Sequence, residues 1–245
     1  MNFIYKIILF SVLVSSNLIA QYHEIGAFLG GSNYIGDIGP TRYVSPNNVA
    51  FGLLYKWNLT TRYSLRAGIN LSKIKSSDYD TGDLNRFKRG YKFDNTINEG
   101  ILGIEFNFID FNLHNGKPVY TPYTFFGLSY FRFNRIGFTP PIKSPVKYRD
   151  NLNDAQTYYD SNMSIPIILG VKMNPNPLWV IGLEIGVRYT LTDAIDGSAL
   201  SYDSSIDPKD PTNPEFGNIG NNDWYVFTGL TISFTFGDLP CYCKE

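Results

Sequence analysis

The sequence predicts an all-β fold: an eight-stranded antiparallel transmembrane β-barrel of outer-membrane type, plugged by interior side chains. Three observations lead there. The stretch Trp224–Phe236 alternates with a period of two, with Trp224, Val226, Thr228, Leu230, Ile232, Phe234 and Phe236 on one parity and Tyr225, Phe227, Gly229, Thr231, Ser233 and Thr235 on the other. One face is apolar, the other turns small and polar, and aromatics stand at both ends, as a strand between lipid and a polar lumen requires. Seven more alternating stretches precede it, joined by connections that alternate long and short, the pattern of barrels with short periplasmic turns and long extracellular loops. No segment after the first 20 residues has 18 consecutive apolar residues, so strands and not helices must make any crossing.

Composition agrees. The 245 residues include 22 Gly, 18 Tyr, 18 Phe and 3 Trp. Mean hydropathy is only -0.15, because only half of each barrel strand faces lipid. Charge is balanced at 21 Lys+Arg against 22 Asp+Glu, which excludes the basic excess of a nucleic-acid binder. A soluble β-sandwich or a lipocalin-like barrel shares much of this composition, but needs no regular alternation of long and short connections.

Residues 1–20 read as a secretory signal. Lys6 precedes the run Ile7-Ile8-Leu9-Phe10-Ser11-Val12-Leu13-Val14, Ser15-Ser16-Asn17 breaks it, and Ala20 stands at the cleavage point. No Cys follows, as a lipoprotein would need. The barrel then occupies 21–236 and a periplasmic tail 237–245.

Strand one is expected over 23–30, with Ile25, Ala27 and Leu29 on one face, and the Gly/Asn/Asp/Pro-rich 31–47 as a loop. Strand two covers 49–57, a tight turn 58–61, and strand three 62–71, with Arg62, Ser64, Arg66, Gly68 and Asn70 sharing the polar parity. A basic loop follows to about 94. Strand four covers 96–109 with Leu102, Ile104, Phe106 and Phe108 on its apolar face. His114-Asn115-Gly116-Lys117-Pro118 makes a turn. Strand five is 122–133, and 134–159 a long loop with Pro140, Pro141 and Pro145. Strand six is 163–173, with Pro166 predicting a bulge or frayed pairing. Asn174-Pro175-Asn176-Pro177 is a turn, and strand seven is 178–189. The loop 192–222 leads to strand eight. An even count places both termini in the periplasm.

The polar parity collects Lys56, Arg62, Arg66, Glu99, Glu105, Lys172, Glu184 and Arg188. Eight strands leave an interior only wide enough for side chains, and buried charges there must pair. The expectation is a closed lumen with a Lys/Arg–Glu network, Arg62 and Arg66 lying beside Glu99 and Glu105.

Little in the chain points to catalysis. Both histidines, His23 and His114, fall on the periplasmic side, so the extracellular loops lack the His of a Ser/His or Asp/His site. No cofactor site is expected. Asp193, Asp196, Asp203, Asp207 and Asp210 do not follow an EF-hand pattern and read as a solvated loop; no metal is expected. Arg86, Lys88, Arg89 and Lys92 read as a surface patch for anionic head groups or a partner. Cys241 and Cys243 are too close for an easy mutual disulfide; they read as tail thiols, or as a link to another protein in an oxidising periplasm.

Longer words of the sequence carry a resemblance. Glu24-Ile25-Gly26 and Gly30-Gly31-Ser32-Asn33-Tyr34-Ile35-Gly36-Asp37-Ile38-Gly39 are followed by Phe51-Gly52, Lys56-Trp57-Asn58 and Arg89-Gly90-Tyr91-Lys92-Phe93. Thr121-Pro122-Tyr123 and Glu184-Ile185-Gly186-Val187-Arg188-Tyr189-Thr190-Leu191-Thr192-Asp193-Ala194-Ile195-Asp196-Gly197 come later. The end reads Asn221-Asn222-Asp223-Trp224-Tyr225-Val226-Phe227-Thr228-Gly229-Leu230, then Gly237 and Cys241-Tyr242-Cys243. In this order they resemble the PorG-like outer-membrane proteins of the type IX secretion system. The resemblance implies a non-enzymatic component of a protein-export and gliding machine that contacts a periplasmic ring of the PorK lipoprotein and PorN. The partner surface then expected is periplasmic: His23, the turns including His114, and the tail with Cys241 and Cys243.

Overall fold

The computed structural model describes residues 22–113, 118–134, 136–137, 146–147, 159–198 and 221–237. The segment read as a signal, most of the tail with Cys241 and Cys243, and His114 lie outside them. Eight long strands form the wall: β1 (Tyr22–Ile35), β2 (Asn48–Asn58), β3 (Tyr63–Ser77), β4 (Lys92–Asn107), β5 (Val119–Asn134), β8 (Tyr159–Asn176), β9 (Trp179–Thr190) and β10 (Trp224–Phe236). Two short strands, β6 (Ile136–Gly137) and β7 (Val146–Lys147), pair with each other in the connection between β5 and β8. A six-residue helix, α1 (Leu84–Arg89), sits between β3 and β4.

Each long strand pairs antiparallel with its sequence neighbours, and β1 pairs with β10 from His23–Phe236 to Ile35–Trp224, closing the barrel. Every barrel strand carries an outward apolar side chain that is more than half exposed: Leu29, Leu53, Ile69, Leu102, Phe126, Leu169, Leu183 and Leu230. A continuous apolar belt of this kind is an aggregation surface in water and a solvated surface in hydrocarbon. Aromatics edge it. At the end with the shorter connections, the His23 ring stacks on Tyr55, Trp57 and Phe236 with centroids 5.9, 6.5 and 5.6 Å away. At the other end Tyr189 meets Trp224 at 5.0 Å. This is a closed eight-stranded barrel of outer-membrane type.

Inside, two facing glycine pairs let aromatic rings lie flat on the wall. A Cβ on Gly103 would fall 2.3 Å from the Phe126 carbonyl oxygen and 2.8 Å from the Phe125 ring, and a Cβ on Gly30 would meet Thr228 O and the Phe28 ring at the same distances. Both glycines face glycine, Gly127 and Gly229. The rings cover backbone that side chains would otherwise protect.

Several strands run further than alternation predicts, and most of the extra length projects from the end with the long connections. Residues 31–35, read as loop from their Gly, Ser and Asn, continue the β1 ladder as Gly31–Thr228 to Ile35–Trp224. β3 continues through Ser77, paired with Lys92. The turn formers are stabilised there by long-range bonds that local pattern does not reveal: Ser32 Oγ donates to Lys73 O at 2.6 Å and Ser76 Oγ to Ile38 O at 2.8 Å. Pro166 keeps its register with Arg188 on β9. On its other side the β5 ladder lapses between Phe126–Ile167 and Ser129–Ser164, opposite the residue that has no N–H.

The lumen is filled along its length. Near the short connections, Phe111 and Leu113, which follow β4, pack with Val180. Towards the other end a buried cluster includes Phe28, Ile74, Phe93, Ile97, Phe131, Tyr225 and Phe227. Charged residues occupy the space between. In planar bilayers the purified full-length chain is therefore expected to give no stable ohmic conductance; steady single-channel steps would show that the filling does not persist.

Candidate functional site

β-parity places eight charged side chains in the lumen: Lys56, Arg66, Lys172 and Arg188 against Glu24, Glu99, Glu105 and Glu184, every residue no more than 4% exposed. Four cations face four carboxylates. Glu105 is the centre, receiving Lys172 Nζ at 2.6 Å, Lys56 Nζ at 2.9 Å and Arg66 Nη1 at 3.4 Å. Arg66 reaches across the barrel to Glu184 with two bonds, 2.8 and 2.9 Å, and the Tyr123 hydroxyl donates to the same carboxylate at 2.6 Å. Arg188 Nε and Nη2 each lie 3.3 Å from a Glu99 oxygen, while Tyr225 Oη and Asn70 Nδ2 donate to Glu99 at 2.5 and 2.8 Å. Glu24, opposite Lys56 in the β1–β2 register, makes no ion pair within 4 Å among the described residues and accepts from Asn58 Nδ2 and Ser233 Oγ at 2.8 Å each. Aromatic faces complete the shell: Lys172 lies 4.7 Å from the Phe111 ring and Arg188 4.3 Å from Phe227.

Arg62 is not part of this network. It lies at the turn before β3, its side chain 48% exposed, and its Nε bonds Asp110 at 2.6 Å. The turn draws it away from the inward parity that alternation assigns to it. The neighbour relation expected between Arg66 and Glu99 is also replaced: Arg66 takes Glu184 and Glu105, and Glu99 takes Arg188, because partners meet across the lumen as well as along the wall. Glu24 shares the parity of Gly26 and was legible as an inward residue. Tyr225 shares the inward parity of its strand, whereas Phe111 and Leu113 carried no such local signal.

His23 belongs to the aromatic girdle on the outer wall, its Nδ1 2.7 Å from Tyr55 Oη. Among the described residues no group of His, Cys, Asp and Glu has the geometry to hold a metal ion. The lumen carboxylates are engaged by cations, hydroxyls and amides. The arrangement fills the middle of the lumen with paired charges.

The mouth at the long connections is locked by buried polar groups. Asp78, fully buried, receives Arg89 Nε and Nη2 at 2.8 and 3.0 Å, Gly39 N at 2.9 Å and Tyr91 N at 3.0 Å. Arg86 Nη1 donates to Gly39 O at 2.5 Å. Two members of the expected basic surface patch thus tie the first loop to the β3–β4 segment, and Lys88 and Lys92 remain exposed. Asp193 and Asp196 likewise depart from a solvated loop, Asp193 being partly buried. Asp196 is fully buried, and its Oδ1 accepts Ser198 N at 2.8 Å. Asp223 accepts Ile195 N at 2.9 Å and a bond from the Tyr34 hydroxyl. Burial, then the neighbouring carboxylates Asp196 and Asp37, pushes Asp193 up to about 7. Burial is also the main cause that raises Asp196 and Asp223 above the ordinary carboxylate value. Asp203, Asp207 and Asp210 lie outside the described residues.

Replacing Glu105 by Gln leaves two lysines and one arm of Arg66 without their carboxylate. Removing one partner of a buried charge group costs roughly 3–5 kcal/mol, so Glu105→Gln is expected to lower the unfolding free energy of the detergent-solubilised barrel by about that amount, while Arg62→Ala leaves the urea midpoint unchanged. The cap has the opposite dependence on charge. An Asp193 carboxyl that stays protonated to about pH 7 in the closed loop ionises near 3.8 once the loop opens. Closure is therefore fully favoured below the lower value and weakens as pH rises towards the upper one. Amide exchange at Ile195, corrected for intrinsic rate, should be slower at about pH 5 than at about pH 8, and Asp193→Asn should flatten the difference.

Comparison with known proteins places these features in a family without assigning a role. Solved structures similar to this chain include OprG from Pseudomonas aeruginosa, at 10% identity over 90% of this chain and 98% of that one, TM-score 0.47. Ail of Yersinia pestis, in complex with the heparin analogue sucrose octasulfate, shows 12% identity over 89% of this chain and 100% of that one, TM-score 0.46. Neither likeness is close enough to bear on function. No curated protein matches the sequence. The family model described as a domain of unknown function, DUF6089, matches residues 3–245, and the chain belongs to that family.

Proposed function

We propose that this protein is a non-enzymatic outer-membrane component of the type IX secretion and gliding machinery, which anchors or contacts the periplasmic ring of PorK and PorN. The observation that supports this reading most is the closed lumen: balanced buried charges between aromatic caps leave the ends and the outer wall as the parts able to act. The sequence words that resemble PorG-like proteins supply the partner. On this reading the long connections face outward, both termini are periplasmic, and the partner surface is formed by the short connections, His23, His114 and the tail, with Cys241 or Cys243 bonded to the partner. A second reading, a small transport barrel or a paralogue that binds another partner, draws on the belt and fold alone.

The test is deletion of the gene followed by complementation. Export of type IX cargo and surface gliding should fall in the deletion strain and return with the wild-type chain. A Cys241→Ser, Cys243→Ser chain that restores export fully would remove the cysteine link and keep the anchor; undiminished export in the deletion strain would remove the role itself.

A further inference from the structure

The apolar belt is interrupted by an open groove. On the outer wall, Ala67 of β3 and Gly100 of β4 are the small residues between Leu53, Ile69, Leu102 and Tyr130, and they floor a groove of about 520 Å³. A Cβ at Gly100 would meet nothing closer than the Tyr130 carbonyl oxygen at 4.0 Å, so the space is open towards the membrane. The same wall changes character above the groove. Following the outward parity of β3, Ile69 and Leu71 give way to Lys73 and Lys75; on β4, Lys92 faces outward opposite Ser77; on β5, Arg132 stands one same-face step above Tyr130. A second cavity of about 560 Å³, lined by Lys75, Lys92, Asn47, Ser77, Asp80 and Asp94, opens there. Among the described residues Lys73, Lys75 and Lys92 make no ion pair, and Arg132 only stacks on the Tyr159 ring at 5.2 Å, whereas every lumen cation is paired. Four cations against Asp80 and Asp94 leave this part of the wall positive.

The vertical spacing is informative. Six residues separate Ala67 from Lys73, about 20 Å along a strand and about 15 Å along the membrane normal for ordinary barrel tilt. That is half of a typical hydrocarbon core. A groove at mid-membrane and cations at head-group height match one lipid molecule, its acyl chain in the groove and its phosphate at the lysines.

We propose that the β2–β5 wall is a specific site for a phosphorylated lipid of the leaflet next to the long connections. With those connections outside, as the proposed function has them, the lipid is the phosphorylated glycolipid of the outer leaflet. Lysines at this height attract anionic lipid by electrostatics worth about a fivefold change in affinity each, and Ala67 with Gly100 gives the acyl chain a fixed seat, which a general lipid annulus does not have.

The experiment uses the purified full-length chain in zwitterionic nanodiscs doped with lipid A or with dephosphorylated lipid A, read by native mass spectrometry after release. Wild-type protein should retain one lipid A and none of the dephosphorylated form. Lys73→Gln with Lys92→Gln should weaken retention by roughly 25-fold if the two act independently. Gly100→Leu should fill the groove and abolish retention while keeping the heat-dependent gel shift of a folded barrel. Equal retention by all three proteins, or equal retention of both lipids, overturns the site. A chain dimer that Gly100→Leu dissolves overturns it too, by assigning the groove to a second copy. Retention needs no secretion partner, so a failure here is distinct from undiminished export in the deletion strain. Surface labelling of cysteines placed in the long connections of intact cells fixes which leaflet is involved.

Discussion

The structure depends on charge neutrality inside a space that side chains fill. An eight-stranded wall forces inward residues to fill the lumen, and any ion placed there must find its counter-ion within the same shell. Glu105 meets this by holding two lysines and one arm of an arginine. Its partners come from β2, β3 and β8, so a single carboxylate joins strands that do not all touch along the wall. Arg66 extends the chain to Glu184 on β9. The separate Glu99 cluster joins β4 to β9 and, through Tyr225, to β10. Backbone ladders close the barrel, and these groups fix which side chains lie over one another inside it.

That division explains what the sequence could reveal. Period-two alternation is a property of one strand, so the eight strands, their order and the inward parity of Lys56, Arg66, Glu99, Glu105, Lys172, Glu184 and Arg188 follow from local pattern. Which cation meets which carboxylate depends on the stagger between strands and on contact across the lumen, which no single strand encodes. Arg62 shows the limit from the other side: it keeps the alternation of β3, but the turn places it outside and its partner is Asp110. Ser32, Asn33 and Ser76 look like loop residues because their preferences are local, while the bonds that keep them in strands run to Lys73, Arg42 and Ile38. Phe111 and Leu113 were invisible as plugs because nothing near them in sequence says that their segment folds inward.

The two ends of the lumen are sealed by different chemistry. Phe111 and Leu113 form an apolar floor. The mouth joins an aromatic cluster to buried acids, of which Asp78 holds Arg89 at 2.8 and 3.0 Å. Asp193, Asp196 and Asp223 crowd together, so protons replace counter-ions there. The middle of the barrel is thus held by fixed ion pairs, and its mouth by carboxyls that burial raises above their ordinary value.

A barrel filled in this way has given up the interior as a working surface. Its outer wall is mostly uniform Leu, Ile and Phe, which lipid solvates without preference. Departures from uniformity then carry the information: small residues where bulk is the rule, and unpaired lysines where the interior pairs each cation. The first loop departs differently, since Asn33 and Val226 have outward parity yet are almost fully buried. Asn33 Nδ2 donates to Arg42 O and Tyr43 O, and its Oδ1 accepts Ser45 N, so this loop folds over the β1–β10 seam. The seam is where the chain's two ends close the barrel, and the loop clasps it with side-chain bonds in addition to the ladder. Covering the seam on one side and leaving the β2–β5 wall open on the other makes the exterior asymmetric.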